Sequence, residues 1–388
     1  MKYTAGRAAI TQRPNASIAV IGGELPANPA RGLGRMIFGA KEFLNPDIMR
    51  RNLTKRAPAL LIAFSAILAG WGEASAAPAS LNPEVESFME QLVSDHHFDR
   101  RQLRRWFSLA SVQRGVLRAM ARPSTARPWH EYRASQVTEA RVLGGLEYWQ
   151  RHAGTLARAS TEYGVPEEII VATIGVETFF GRDTGNNNVF DALFTLAFAY
   201  PPRADLFRAE LEQFLLLARE LRRDPLHFRG SYAGALGVAQ FLPSSYRRYA
   251  VDFDHDGRRD LWNHSDAIGS IANYYKAYGW RAGEPVLVAI EQQAEIAGDE
   301  FRLLLERGLN PHTTVTAIKR SGATPAELVA DDMLASVFSA EAEIGPRYWI
   351  GFNNFYVITR YNRSVNYALA VHELAQELQR ARHAGRLE

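Results

Sequence analysis

The chain has 388 residues, with 45 Lys and Arg against 42 Asp and Glu, and no cysteine. That excludes disulfides and a lipid-modified N-terminal cysteine, so stability has to come from packing and from any bound metal. Residues 1–76 carry 10 Lys/Arg and 4 Asp/Glu, which leaves 35 basic and 38 acidic groups downstream. With the basic surplus confined to the first segment, general nucleic-acid binding loses its electrostatic support.

Positions 49–78 open with Met49-Arg50-Arg51 and Lys55-Arg56, continue through the apolar run Ala57 to Ala69, and reach Ala74-Ser75-Ala76 before Ala77-Pro78. A basic start, a short apolar middle and a small-x-small site form a cleavable secretory signal, too short in its apolar part to span a bilayer. Such signals act from an N-terminus, so translation is expected to start at Met49, with residues 1–48 an upstream extension. The expected product starts at Ala77 and is a soluble periplasmic protein.

From Leu81 to about Thr161 the pattern is helical, with Val85, Phe88, Met89 and Leu92 at the spacing of one amphipathic face. Pro123 to Pro128 interrupts it. The charge run Arg100 to Arg105 reads as a solvated helix face around Leu103, and His96-His97 point different ways on a helix, which argues against a metal pair.

The next helix is bounded by Pro166, with Glu167 and Glu168 at its positive end, and by Gly181, expected to close it in a left-handed cap. Near its end Glu177 sits in the apolar stretch Ile169 to Phe180, with no cation in the six residues before it. Desolvation by Ile174, Val176, Phe179 and Phe180, together with the negative end of the helix dipole, favours a protonated carboxyl and makes Glu177 a candidate acid. The alternative is an ordinary Glu turned outward at a helix end.

Beyond the turn Gly185-Asn186-Asn187-Asn188, the segment Gly230 to Ser245 is Gly-rich and nearly uncharged. It lacks the Lys of a phosphate loop; its small residues suit close approach to a ligand, and Ser231 and Gln240 offer hydrogen bonds to an uncharged one. Asp252, Asp254 and Asp256 stand at positions 1, 3 and 5 of a calcium loop, with Gly257 at 6 and the carbonyl of Arg258 at 7. Asn263 occupies position 12, where a bidentate Glu is usual, and Asp266 is the nearest substitute before a helix that starts near Ser265. Between Pro285 and about Trp349, Val286 to Ile290 and Thr313 to Ile318 read as strands of a small β insertion. A last helix places Tyr367, Val371 and Leu374 on one face. Tyr274, Tyr361, Asn362 and Tyr367 are candidates to line a sugar cleft, although each taken singly suits a core.

Ile174-Gly-Val-Glu-Thr-Phe-Phe-Gly-Arg182, Gly234 to Ser245, the Asp-rich loop, Ala272-Asn-Tyr274 and Phe355 to Arg363 together resemble the lytic murein transglycosylase B family, in the family's order over residues 80–385. The resemblance implies a mainly α (α+β) fold: a helical domain at 80–161, a lysozyme-like catalytic core at 162–283, a small β domain at 284–349 and a C-terminal segment at 350–385 returning to the core. It implies peptidoglycan glycan strands as substrate, structural Ca²⁺ and no organic cofactor. Glu177 falls on the family's acid/base; Ser231, Gln240, Tyr274, Tyr361, Asn362, Tyr367 and Arg203 fall on its sugar cleft; Asp252, Asp254, Asp256, the Arg258 carbonyl and Asp266 fall on its calcium site. Pro202 replaces one member of the family's arginine pair. The implied reaction cleaves the MurNAc–GlcNAc bond and leaves 1,6-anhydroMurNAc. Its rivals are a muramidase using Asp183 or Asp191 to activate water, and a non-catalytic calcium-dependent glycan-binding protein.

Overall fold

The computed structural model describes residues 82–121, 124–291 and 298–385. The segment read as a secretory signal, residues 49–76, and the residues before it lie outside that range. The helices in chain order are α1 (Pro83–His96), α2 (Arg100–Ser108), α3 (Arg114–Met120), α4 (Trp129–Gln136), α5 (Glu139–Arg151), α6 (Ala153–Tyr163), α7 (Glu167–Thr178), α8 (Val189–Ala199), α9 (Ala204–Glu220), α10 (Pro243–Tyr249) and α11 (His264–Ala277). After them come α12 (Asp299–Glu306), α13 (Val315–Arg320), α14 (Asn353–Tyr361) and α15 (Val365–Ala384). The strands are β1 (Asn187–Asn188), β2 (Arg229–Gly230), β3 (Leu287–Ala289), β4 (Thr313–Thr314), β5 (Leu334–Glu341) and β6 (Pro346–Gly351).

The amphipathic face expected in α1 is the buried one, comprising Val85, Phe88, Met89 and Leu92. In α2, Leu103 is buried while Arg101, Arg104 and Arg105 stay in solvent. One continuous core runs from Val85 to Leu378 and takes in the faces of α1 to α11, α14 and α15. A second, smaller core gathers Val288, Ile290, Phe301, Val315, Ile318, Val337, Ile350 and Phe352 under an antiparallel sheet of order β3-β6-β5-β4. Among the described residues no helix is long and apolar enough to cross a membrane.

The β insertion differs from expectation in detail. The run Thr313 to Ile318 gives only the two-residue β4 and then turns into α13, because the Thr314 side chain accepts the Ala317 N–H at 3.3 Å and caps a helix. The sheet is built mainly by β5 and β6, which pair from Ser336↔Gly351 to Glu341↔Pro346.

α7 is the central piece. Every residue from Ile169 to Thr178 is buried, which is why its sequence is apolar all round rather than on one stripe. α15 packs along it, and Gly175 permits the contact: a Cβ there would lie 2.8 Å from the Phe180 ring and 3.1 Å from Leu374.

Candidate active site

α7 ends two residues earlier than Gly181 suggests. Thr178 is its last residue and Phe179 is the C-cap, with φ of 49° at Phe179, 63° at Phe180 and 84° at Gly181. Two bulky residues in the left-handed region are costly, and they persist only where surroundings over-determine them. Here the Phe180 N–H donates to Ile174 O at 3.3 Å and the Asp183 N–H to Thr178 O at 2.9 Å. The Thr178 hydroxyl donates to Val238 O at 3.1 Å, tying the helix end to the Gly-rich segment.

Glu177, in this last turn, is 1% exposed. Its Oε1 accepts the Tyr367 hydroxyl proton at 2.7 Å, while Oε2 is buried with no hydrogen-bond partner. Burial pushes its pKa from the ordinary 4.5 up to about 8, against the opposing pull of the Tyr367 hydrogen bond. The outward-turned alternative therefore fails, and the carboxyl is protonated near neutral pH. The groups that feel its charge are phenols: Tyr132 of α4, Tyr275 of α11, Tyr361 of α14 and Tyr367 of α15.

The α14–α15 junction delivers three of the expected residues together. Tyr361 ends α14, Asn362 is its C-cap in extended conformation, and Ser364 caps α15 by accepting the Tyr367 N–H at 3.3 Å. Tyr361 stacks nearly parallel to Tyr367 at 6.3 Å and packs on Tyr274 at 4.9 Å. Its hydroxyl donates to Ala239 O of the Gly-rich segment, and that of Tyr274 donates to Arg360 O at 2.6 Å. The Asn362 Oδ1 is buried and unpartnered.

The Gly-rich segment plays a different part from the one its composition suggests. Its glycines face the protein's own atoms: a Cβ on Gly237 would lie 2.5 Å from Leu261 O, and one on Gly234 would lie 2.4 Å from Leu193. The Ser231 Oγ, fully buried, accepts the Ala235 N–H at 2.9 Å and the Ala233 N–H at 3.3 Å, so it shapes the turn. The Gln240 amide donates to Thr184 O at 3.1 Å and Gly237 O at 2.9 Å, joining this segment to the stretch after α7. Arg203, on the short 3₁₀ turn before α9, stands in a separate group with Tyr200 and Tyr232, beside Ser231.

Several neighbours of this site escape sequence reasoning. Tyr132 is one. Tyr275 is another, its hydroxyl 2.8 Å from Thr173 Oγ1 on α7. Arg141 of α5 is a third: buried, it donates from Nε to Gly175 O at 2.9 Å, a backbone carbonyl two residues before Glu177. The neighbour of Tyr274 in the sequence was the one available hint, since both are aromatic and both are buried on α11. Asp191 does not cap α8: Asn188 does, accepting the Asp191 N–H at 3.1 Å. The Asp191 carboxylate instead accepts the Ser111 N–H at 3.1 Å and the Ser111 hydroxyl at 3.0 Å.

In the Asp-rich loop, carboxylate oxygens of Asp252, Asp254 and Asp266 lie within 4.8 Å of one another. His255 (φ 64°) and Gly257 (φ 87°) supply the bend that brings them together. Asp256 is outside this closest group, its Oδ1 accepting the Arg258 N–H at 2.8 Å. Asp266 is 1% exposed and accepts the Phe253 and Asp260 N–H groups, each at 2.7 Å. Arg259, on the same loop, turns away to Glu220 at 3.7 Å. Three converging carboxylates without an arginine or lysine between them suit a hard divalent cation, and their unused lone pairs are the right donors.

A mainly helical scaffold that holds one protonated carboxyl among aromatic rings is the arrangement of a lysozyme-like enzyme cleaving glycosidic bonds. The family model described as the transglycosylase SLT domain matches residues 80–376. The chain is 42% identical over 311 residues to the membrane-bound lytic murein transglycosylase B of Escherichia coli (strain K12), covering 78% of this chain and 84% of that protein. Among solved structures it is similar to soluble lytic transglycosylase SltB1 of Pseudomonas aeruginosa (47% identity, TM-score 0.71, 78% of this chain and all of that one). It is also similar to E. coli Slt35 in complex with calcium (43% identity, TM-score 0.70, 78% and 94%). A third is P. aeruginosa SltB3 in complex with NAG-anhNAM-pentapeptide (30% identity, TM-score 0.66, 76% and 78%). The chain belongs to the lytic murein transglycosylase family and is an enzyme that acts on the glycosidic bonds of peptidoglycan.

Proposed function

We propose that Glu177 is the single acid and base of an intramolecular transfer on the MurNAc–GlcNAc bond. Protonated Glu177 gives its proton to the glycosidic oxygen, the C1–O bond breaks, and the MurNAc N-acetyl group steadies the oxocarbenium-like centre. The carboxylate so formed takes the proton of the 6-hydroxyl of the same sugar while O6 bonds to C1. Glu177 is thereby reprotonated, the product is 1,6-anhydroMurNAc, and no water is consumed. Holding O6 against C1 gives the entropic advantage of an intramolecular attack.

The observation that carries this reading is the buried, neutral carboxyl of Glu177, with one oxygen held by Tyr367 and the other unpaired. A hydrolase needs a second carboxylate facing the first across the bond, at roughly 5 to 9.5 Å. Asp191 is committed to Ser111, which speaks against it in that role. The anhydro sugar held by SltB3 supports the same product here. Tyr274, Tyr361, Asn362, Tyr367 and Arg203 are assigned to the walls of the glycan cleft, where Asn362 Oδ1 and the phenol rings meet sugar hydroxyls and ring faces, and Ser231 and Gln240 to the turn that supports those walls. The 1,6-anhydro product, identified by mass spectrometry of a peptidoglycan digest, tests the reaction.

The calcium of Slt35 supports Ca²⁺ in the loop of this chain, held by Asp252, Asp254, Asp256, the Arg258 carbonyl and Asp266. The ion is structural: it neutralises the carboxylates and closes the loop on the start of α11. The protein acts in the periplasm after removal of its secretory signal. N-terminal sequencing of the exported enzyme is expected to begin at Ala77; an exported chain that keeps Met49 or earlier residues contradicts the processing.

A further inference from the structure

Arg141 has no part in the reaction just described, yet it is among the most buried charges of the molecule, 4% exposed. Its Nε donates to Gly175 O at 2.9 Å, a carbonyl of the last turn of α7 that also accepts the Phe179 N–H at 3.1 Å. Its Nη1 donates to Ser135 O at 2.8 Å and Gln136 O at 3.1 Å, at the end of α4. One guanidinium therefore satisfies carbonyls at the C-terminal ends of two helices, the one carrying Glu177 and the one carrying Tyr132. The same guanidinium lies 5.1 Å from the centre of the Phe179 ring, the residue that turns the chain out of α7 with φ of 49°.

The next turn of α5 continues the brace. Gly144 and Gly145 leave room for the Phe180 ring, which a Cβ at either position would approach to 3.2 and 3.1 Å. So α5 holds the two left-handed phenylalanines after α7, one beneath a cation and the other against a pair of glycines. Glu177 lies directly before this bend and its carboxyl has only one hydrogen bond to fix it.

We infer that Arg141 is a positioning residue for Glu177, holding the strained end of α7 so that the carboxyl meets the glycosidic oxygen. This rests on the reading of Glu177 as the acid. A purely structural Arg141 lowers the melting temperature and leaves turnover intact well below it, whereas a positioning residue changes turnover itself, since a displacement of about 1 Å costs up to roughly 100-fold in rate. An ammonium at this position cannot reach both helix ends at once, so the informative variant is Arg141→Lys. Assayed on soluble uncross-linked glycan strands at least about 15 °C below its melting temperature, R141K is expected to lose tenfold or more in kcat with KM within about twofold of wild type. Phe179→Leu, which keeps Arg141 and removes the ring under it, is expected to do the same, and it decides the matter if R141K does not fold. Unchanged kcat in the folded variant, or a loss carried by KM alone, overturns the inference. If kcat is unchanged in R141K while Glu177→Gln is inactive, only the role of Arg141 fails; if Glu177→Gln is active, the reading beneath it fails.

Discussion

Replacing Glu177 by Gln is expected to remove at least about 100-fold of the activity, the lower end of what general acid catalysis contributes, while the folded protein becomes no less stable. The amide keeps the shape of the carboxylic acid and can still accept the Tyr367 hydroxyl proton on its carbonyl oxygen, but it has no proton to give. The stability half of this expectation follows from the pKa. Folding raises the Glu177 pKa from 4.5 to about 8, so above the lower value the folded state holds a proton that the unfolded chain has released. That cost is absent below about pH 4.5, reaches about 3 kcal/mol at pH 7 and levels off above about pH 8. Gln carries no such cost. The Gln variant is therefore expected to melt higher than wild type at pH 7, with the gap closing as the pH falls towards 4.5. A variant that keeps more than about a tenth of wild-type turnover contradicts the assignment of the acid.

The second large effect is expected at Asp266. Its carboxylate is buried and accepts the Phe253 N–H and the Asp260 N–H, each at 2.7 Å, bridging both ends of the Asp-rich loop to the first turn of α11. Asp266→Ala removes the acceptor of both donors: the Phe253 N–H is buried and is left unsatisfied, whereas Asp260 is exposed and its N–H can turn to water. A buried donor left without a partner costs about 1 to 3 kcal/mol, so a loss of that order is expected from the hydrogen bonds alone. Calcium adds to the difference, because a ligand that favours only the native state stabilises by mass action. Wild-type enzyme is expected to melt lower in chelator than in millimolar calcium, and Asp266→Ala to melt lower still and no longer to respond to the ion. A wild-type melting curve that is the same with and without calcium argues against the ion. An Asp266→Ala protein as stable as wild type argues against the bridging role.

Much of this arrangement is legible in the sequence, because it consists of residues that contradict their surroundings. A glutamate in a run of isoleucine, valine and phenylalanine, alternating aspartates before a glycine, and an uncharged Gly-rich stretch each mark themselves without any partner being known. What is illegible is long-range. Arg141 lies 34 residues from the carbonyl it holds, and Tyr132 and Tyr275 come from helices far from α7 in the chain. Nothing in the local pattern of α4, α5 or α11 separates these from ordinary core residues. The Gly-rich stretch shows the opposite error, since its glycines admit Leu261 and Leu193 rather than a ligand.

The sheet was obscured for a further reason. β5 is an inner strand, buried at four consecutive positions from Ala335 to Phe338, so it lacks the alternation that marks a half-exposed strand. The β-branched run at Thr313 shows alternation of composition but carries a capping threonine, and the cap prevails over β propensity. Likewise Gly181 has the positive φ expected of it, but two phenylalanines before it already have the same sign, and packing against α5 outweighs their intrinsic preference.

The central claim is that one carboxyl performs both proton transfers and that the acceptor is the sugar's own 6-hydroxyl. Digestion of peptidoglycan in oxygen-18 water separates this from hydrolysis, since water attacks C1 only in the second case. The expected products are 1,6-anhydromuropeptides without label at C1, and Asp183→Asn and Asp191→Asn enzymes are expected to release them at rates near wild type. Reducing ends carrying oxygen-18 at C1 as the main product, with turnover collapsing in one of the two Asn variants, would contradict the account and make that aspartate the base of a muramidase.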